Sequence, residues 1–309
     1  MPSLVVDNIS KSFTADKKKV LALEDISFNV DKGSLFGVIG PDGAGKTTLF
    51  RILTTLILAD KGTATVDGFD VVKDYRDIRK RIGYMPGKFS LYQDLTVEEN
   101  LEFFATIFNT TIKENYSLIK EIYQQIEPFK DRRAGKLSGG MKQKLALSCA
   151  LIHRPSVLFL DEPTTGVDAV SRKEFWHMLK QLQKEGITIL VSTPYMDEAA
   201  LCDTVALIQN GKFLSIDTPE GTVSQFKKPL WAVKSDNMYK LQQDLRQYEG
   251  MSSVYPFGEY YHLALNTDKL MQEDITRYLT SQSHHEIEVN PIKAGIEDVF
   301  MELMKSADD

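Results

Sequence analysis

Three short stretches of this chain hold residue types at spacings that suit chemistry on phosphates. GPDGAGKTT, Gly40–Thr48, has the form G-x-x-x-x-G-K-[ST]. Its glycines let successive backbone N–H groups turn inward around phosphate oxygens, and the start of a following helix adds a favourable dipole. Gly40, Pro41, Asp42, Gly43, Ala44, Gly45 and Thr48 would form the cradle, Lys46 would reach the β- and γ-phosphates, and the Thr47 hydroxyl would be a ligand for Mg²⁺. A glycine-rich turn without nucleotide is the competing reading. A predicted strand ahead of the loop and a predicted helix behind it weigh against that alternative.

The second stretch is VLFLDEP, Val157–Pro163. An apolar strand ending in an acidic pair puts Asp161 at the carboxyl edge of a sheet, where α/β ligand sites form. Asp161 can hold Mg²⁺ through its water shell, and Glu162 can polarise an attacking water. Such a pair standing alone is usually structural; beside a phosphate loop the balance reverses. The third stretch, LSGGMKQK at Leu137–Lys144, offers Ser138, Gly139 and Gly140, which alone would read as an N-capped helix start.

These residues need a sheet edge to stand on. Short β-branched runs alternate with helical segments to about residue 220, the pattern of an α/β domain with a substantially parallel sheet. Strands are predicted at Leu35–Ile39, Val157–Asp161 and Ile187–Ser192, apolar almost throughout, as when helices cover both faces. The opening segments SLVVDNIS and EDISFNV read as antiparallel strands with one solvated side. Helices are predicted over Lys46–Leu58, Val97–Ile107, Gly140–His153 and Ala169–Lys184. The proline- and glycine-bearing segment TPEGTVSQFKKPL marks a change, dividing the chain into residues 1–225 and an α+β accessory domain at 226–309. Beyond it the order is strand (LWAVKS), helix (NMYKLQQDLRQY), strand (SSVYPF), strand (YYHLALN), helix (TDKLMQEDITRYL), strand (HEIEVNPI). That is the order of a ferredoxin-like, split βαβ unit. A last helix, Glu297–Lys305, is expected to dock on a core through Val299, Phe300 and Leu303.

The composition permits this organisation. The chain has 309 residues, 42% hydrophobic and 26% charged, enough apolar material for real cores. A net charge of −6 argues against a broad electrostatic grip on nucleic acid, and Lys17–Lys19 is read as a solvated loop tip. No apolar stretch approaches the ~18–20 residues needed to cross a bilayer, and the N-terminus lacks the pattern of a secretory signal. Cys149 and Cys202 make no disulfide framework and fit no metal spacing; they read as buried hydrophobes of a reducing compartment. A cytosolic chain is expected. The five histidines receive no assignment, His284 and His285 being expected to point to opposite faces of a strand.

LSGGMKQK, with AGK before it and LALSCALIHRP after it, resembles the signature motif of ABC-type ATPases. The order of phosphate loop, signature and acidic strand fits that family, as do VDNISKSF and LEDISFNVDKGSLFGVIGPDGAGKTTL, so the resemblance covers about Ser3 to Gln225. It implies a P-loop ABC-type ATPase domain with an antiparallel β subdomain and a helical subdomain. It further implies two nucleotide domains paired head to tail, with Ser138, Gly139 and Gly140 of one contacting the γ-phosphate of ATP on the other. By the same resemblance Phe13 stacks on adenine, with a core aromatic as the alternative, and Asp168 belongs to the loop that touches the opposite subunit.

Two departures stand out. The family usually has glutamine after the segment YMP, joining the Mg²⁺ shell; here Tyr84–Met85–Pro86 is followed by Gly87, and Gln93 lies too far along to replace it without rearrangement. The family usually has histidine after the strand ITILVST; here that place holds Pro194, which offers neither a side-chain donor nor an N–H. The chain is therefore expected to bind MgATP, to hydrolyse it slowly on its own, and to complete the site of a better-equipped second ATPase.

Within the family, YMPGKFSLYQDLTVEENLEFF and the C-terminal GIEDVFMELM most resemble ATPases of type-2 ABC export systems. The resemblance implies separate membrane permease subunits, docked around Lys88–Asn100, and a peripheral position on the inner face of the membrane. Phe89, Leu91 and Tyr92 packing under a loop is the plain alternative. Two other functions stay open: a nucleotide-responsive regulatory subunit with little turnover, and a soluble ATPase acting on ribosomes or DNA. A single ATPase domain without an inserted coiled coil, and net acidity, argue against the latter.

Overall fold

The computed structural model describes residues 2–15, 18–267, 269 and 271–308. Lys17, and Asp268 and Leu270 of the predicted helix TDKLMQEDITRYL, lie outside the described residues; Lys18 and Lys19 are exposed on a strand. The chain divides into two units, Met1–Pro219 and Glu220–Asp309.

The first unit opens with β1 (Pro2–Ala15) and β2 (Lys18–Asp31), an antiparallel pair. Leu4, Val6, Ile26, Phe28 and Val30 are buried while Val5, Asp7, Asp25, Ser27 and Asn29 face water, the period of a half-buried sheet. β3 (Leu35–Ile39) is buried throughout and leads through the phosphate loop into α1 (Lys46–Leu53). The predicted helix to Leu58 stops five residues early because Thr55 turns left-handed, φ 64°, and Leu56 N–H bonds back to Arg51 O. β4 (Lys61–Val66) and β5 (Phe69–Asp70) complete a sheet of order β2-β1-β4-β5.

Next come α2 (Tyr75–Arg81) and β6 (Ile82–Met85), then three helices: α3 (Val97–Ile107), α4 (Ile112–Tyr123) and α5 (Gly139–Leu151). α5 starts one residue before its predicted limit, with Ser138 as N-cap, and ends two before His153. β7 (Val157–Asp161), α6 (Ala169–Lys184), β8 (Thr188–Thr193), α7 (Met196–Ala199), β9 (Thr204–Gln209) and β10 (Lys212–Asp217) follow. The predicted strand Ile187–Ser192 is thus displaced by one residue. The second sheet has the order β10-β9-β3-β8-β7-β6, parallel from β9 to β6. Phe50 of α1 meets Phe159 of β7 edge to face at 6.0 Å, pinning the helix to the sheet.

α8 (Pro219–Ser224) spans the division between the units. The second unit runs β11 (Leu230–Lys234), α9 (Met238–Arg246), β12 (Met251–Phe257), β13 (Tyr260–Leu265), α10 (Gln272–Ser281), β14 (Glu288–Pro291) and α11 (Ile296–Asp308). Its antiparallel sheet, order β12-β13-β11-β14, is the ferredoxin-like arrangement expected. Val233, Leu241, Leu245, Leu263 and Leu279 form its core. Val299 and Phe300 of α11 are buried, and Asp298 accepts a 2.7 Å hydrogen bond from His262 Nδ1 on β13. His284 and His285 fall before β14 rather than on a strand. His284 is buried between Ser235 Oγ and Asp244 Oδ2, at 3.0 and 2.9 Å.

A candidate phosphate site at the carboxyl edge of the parallel sheet

Because β3, β8, β7 and β6 are adjacent and parallel, everything following their C-termini collects on one edge. In register, Ile39 faces Thr193, Ser192 faces Asp161, and Leu160 faces Met85. Gly40–Thr48, Pro194, Asp161–Glu162 and Gly87 therefore leave the sheet side by side.

The loop's glycines are required by its geometry. A Cβ on Gly40 would sit 2.1 Å from the Ile208 carbonyl oxygen. Gly45 has φ 110°, and a Cβ there would stand 2.5 Å from Ala22 O. Gly45 is also the N-cap of α1 and provides no side-chain cap, and no acidic residue lies in the first turn. The first-turn N–H groups thus lack the usual carboxylate or hydroxyl partner, which suits an anion.

Lys46 is 3% exposed and fully engaged. Its ammonium donates to Gly40 O and Pro41 O, both at 2.9 Å, and lies 3.0 Å from Glu162 Oε1. Glu162 has φ 50°, a left-handed conformation costly to a residue with a Cβ. It is held there by its own N–H, which donates to Ser192 O at 3.1 Å and Ser192 Oγ at 3.0 Å. Ser192 Oγ in turn donates to Asp161 Oδ1 at 2.7 Å. Asp161 is 2% exposed, so its carboxylate is oriented from within the sheet. Together with the Thr47 hydroxyl it makes a hard-oxygen donor set, which fits Mg²⁺ in kind. Burial, with Asp161 nearby, pushes the Tyr84 phenol up to about 12, so it stays neutral.

The two departures fall at this edge. A Cβ on Gly87 would meet Asp161 O at 3.0 Å and Glu162 Cβ at 3.7 Å, so residue 87 stands beside the acidic pair with no side chain. A cavity of about 170 Å³ opens there, lined among others by Phe89, Gln143 and Glu162. Gln93 is placed elsewhere: its carbonyl accepts the Gly135 N–H at 2.9 Å. Pro194 follows Thr193, whose carbonyl takes the Gly40 N–H at 3.2 Å.

Other predicted residues are distributed more widely. Phe13 is 44% exposed, which removes the core-aromatic alternative. It pairs with Val20 on the hairpin whose Ala22 abuts Gly45, and the Lys11 ammonium lies 5.6 Å from its ring centroid. Ser138 and Gly139 are exposed at the start of α5, with Ser138 Oγ accepting from Met141 N–H at 3.3 Å. Gly140 approaches Ser171 closely, a Cβ there standing 3.1 Å from its Oγ. Asp168 caps α6, and the Ser171 N–H above all holds its carboxyl below the usual range.

Sequence reasoning passed over Ser192 and Glu198. Ser192 carried no motif signal. Glu198 was readable only as part of the segment YMDEA, yet it is 2% exposed and holds three side chains.

The profile of the family described as ABC transporter matches residues 23–165. The probable multidrug ABC transporter ATP-binding protein YbhF of Escherichia coli K12 is 38% identical over 309 residues, covering 98% of this chain and 52% of its own length. The chain thus spans about half of that relative. The ABC transporter ATP-binding protein NatA of Bacillus subtilis is 38% identical over 215 residues, covering 68% of this chain and 87% of its own. Among solved structures, a component of the Clostridium perfringens ABC transporter complex cbiONQ superposes with a TM-score of 0.64 at 26% identity, over 72% of this chain and 91% of the other.

Proposed function

This chain belongs to the ABC transporter family of ATP-binding proteins, and from that membership and the site above we propose that it binds and hydrolyses MgATP to power an export complex. The observation that carries the proposal is the Lys46–Glu162 contact of 3.0 Å, which joins phosphate loop and acidic strand in one site. The first-turn N–H groups of α1 and Lys46 bind the phosphates; Thr47 and Asp161 would hold Mg²⁺, which would supply positive charge against the phosphate oxygens. Glu162 takes a proton from water as the water oxygen bonds to the γ-phosphorus. The bond to the bridging oxygen breaks, and ADP and inorganic phosphate leave. Phe13, exposed on its hairpin, stacks on adenine.

Ser138, Gly139 and Gly140 serve a second subunit's nucleotide, their exposure at a helix start supporting this. Gly87 and Pro194 make this chain's own site the weaker one and favour a different, fully equipped partner over a second copy. The same two positions favour one further reading, a regulatory subunit with little turnover.

Among the described residues no helix is long and apolar enough to cross a membrane, so permease subunits are separate or lie on other chain segments. An apolar cavity of about 380 Å³, lined by Leu56, Met85, Leu91, Phe104, Phe108 and His153, suits a short helix of a permease at the inner membrane face. The multidrug description of the Escherichia coli relative favours export over import. Calorimetry and phosphate release with the full chain test the proposal. MgATP binding lost in Lys46→Ala, and release lost in Glu162→Gln, are expected. Absence of MgATP binding by the wild type would overturn it.

A further inference from the structure

We infer that Glu198 is a positioning residue for the phosphate site, a buried carboxylate that sets the loops bearing Gly40, Glu162 and Asp168 relative to one another. The inference rests on the reading of that site given above. Oε2 of Glu198 accepts from Thr193 Oγ1 at 2.6 Å and from Thr164 Oγ1 at 3.0 Å, and Oε1 accepts from Arg172 Nε at 3.1 Å. The donors come from three different elements of the site: the last residue of β8, the turn after β7 and the first turn of α6. Thr193 precedes Pro194, and its carbonyl receives the N–H of Gly40, the first residue of the phosphate loop. Thr164 lies in the turn closed by Thr165 N–H on Glu162 O at 3.2 Å. The Arg172 N–H bonds to Asp168 O at 2.9 Å, and its guanidinium also reaches Asp197 at 2.8 Å and stacks over Tyr195 at 4.2 Å.

Burying a carboxylate is costly, and apolar side chains of the same volume commonly stabilise a core as well or better. What such chains cannot do is fix direction. Three directional bonds from one rigid group can hold three segments through their side chains to about 0.5 Å, the tolerance that a functional constellation needs. At Pro194 this matters most, because the proline contributes neither an N–H nor a polar side chain to the edge. The Thr193 hydroxyl does that anchoring instead: it donates to Glu198 and accepts from Tyr195 N–H at 3.1 Å.

Single-turnover hydrolysis of γ-labelled ATP by the full chain in excess, paired with calorimetric MgATP binding, tests the role. Glu198→Gln keeps an amide oxygen for the threonines but faces Arg172 with a donor. It should slow phosphate release about tenfold or more while leaving MgATP affinity within about threefold. Thr164→Val should slow release too, and the double variant should fall short of the product of the two effects. A folded Glu198→Gln with the wild-type rate overturns the inference. So does a variant in which rate and affinity drop by the same factor, since that marks a loosened fold. If Glu198→Gln does not fold, Thr164→Val and Arg172→Lys decide by the same criteria. A wild type that releases no phosphate defeats the reading of the site itself and this inference with it, and the wild-type measurement alone reveals that case.

Discussion

The ammonium of Lys46 and the carboxylate of Glu162 stand 3.0 Å apart, a cation 3% exposed against an anion 22% exposed. In the proposed mechanism this contact makes the general base the counter-ion of the phosphate-binding lysine. On that reading phosphate binding would draw Nζ away from the carboxylate, and the two functions would be linked by charge.

The first prediction concerns that link. Glu162→Gln keeps an oxygen that can accept from Lys46 beside its two backbone carbonyl partners, but removes a negative charge from the mouth of the site. MgATP affinity is expected to hold or rise, while phosphate release falls about a hundredfold or more. Calorimetry with a release assay checks both; weakened binding would contradict the linkage.

Restoring the family's usual groups should speed the chain. Gly87→Gln adds an amide beside Asp161 and Glu162, in a cavity of about 170 Å³ that offers space, although Asp161 O must give by a few tenths of an ångström. Combined with Pro194→His, turnover is expected to rise by about tenfold or more, since a preorganised contact to transition-state charge is commonly worth that much or more. An unchanged rate in the folded double variant would show that the two positions do not limit hydrolysis.

The signature can be tested apart from its helix. Ser138 caps α5, and aspartate is as good a cap as serine, so Ser138→Asp should keep the helix and the melting temperature. The added charge would oppose a partner's phosphates. Association with the partner ATPase in MgATP, measured by light scattering, should be lost in Ser138→Asp; persistence of the complex would reject the role.

His153 provides a pH prediction. Its Nε2 bonds to Ile82 O at 3.0 Å, its ring stacks on Phe108 at 3.7 Å, and its Nδ1 is buried without a partner. Burial pulls its pKa from 6.5 down to about 4. Between those values the unfolded chain binds a proton that the folded chain refuses, so this stability is complete above pH 6.5 and drains away as pH falls toward 4. His153→Phe, which preserves the stack, should lose less melting temperature between pH 7 and pH 5 than the wild type. Equal losses would refute the assignment.

Much of this was legible in one dimension. The phosphate loop, the acidic pair and the three buried strands are local patterns, and apolar runs, glycine placement and period fix them. β3 and β7 came out residue for residue. α4 was missed, although Thr111 and Glu114 form a capping box that could have flagged it. The end of α1 was missed because a left-handed Thr55 leaves no compositional trace.

Strand order was not readable, and it decides the site. Parallel pairing of β3, β8, β7 and β6 brings Gly40, Pro194, Glu162 and Gly87 to one edge although they are distant along the chain. Such contacts depend on which strands neighbour which, a choice made by the packing of whole faces and not by any residue's own preference. The orienting of Asp161 by Ser192 and the three-way grip of Glu198 both follow from that choice.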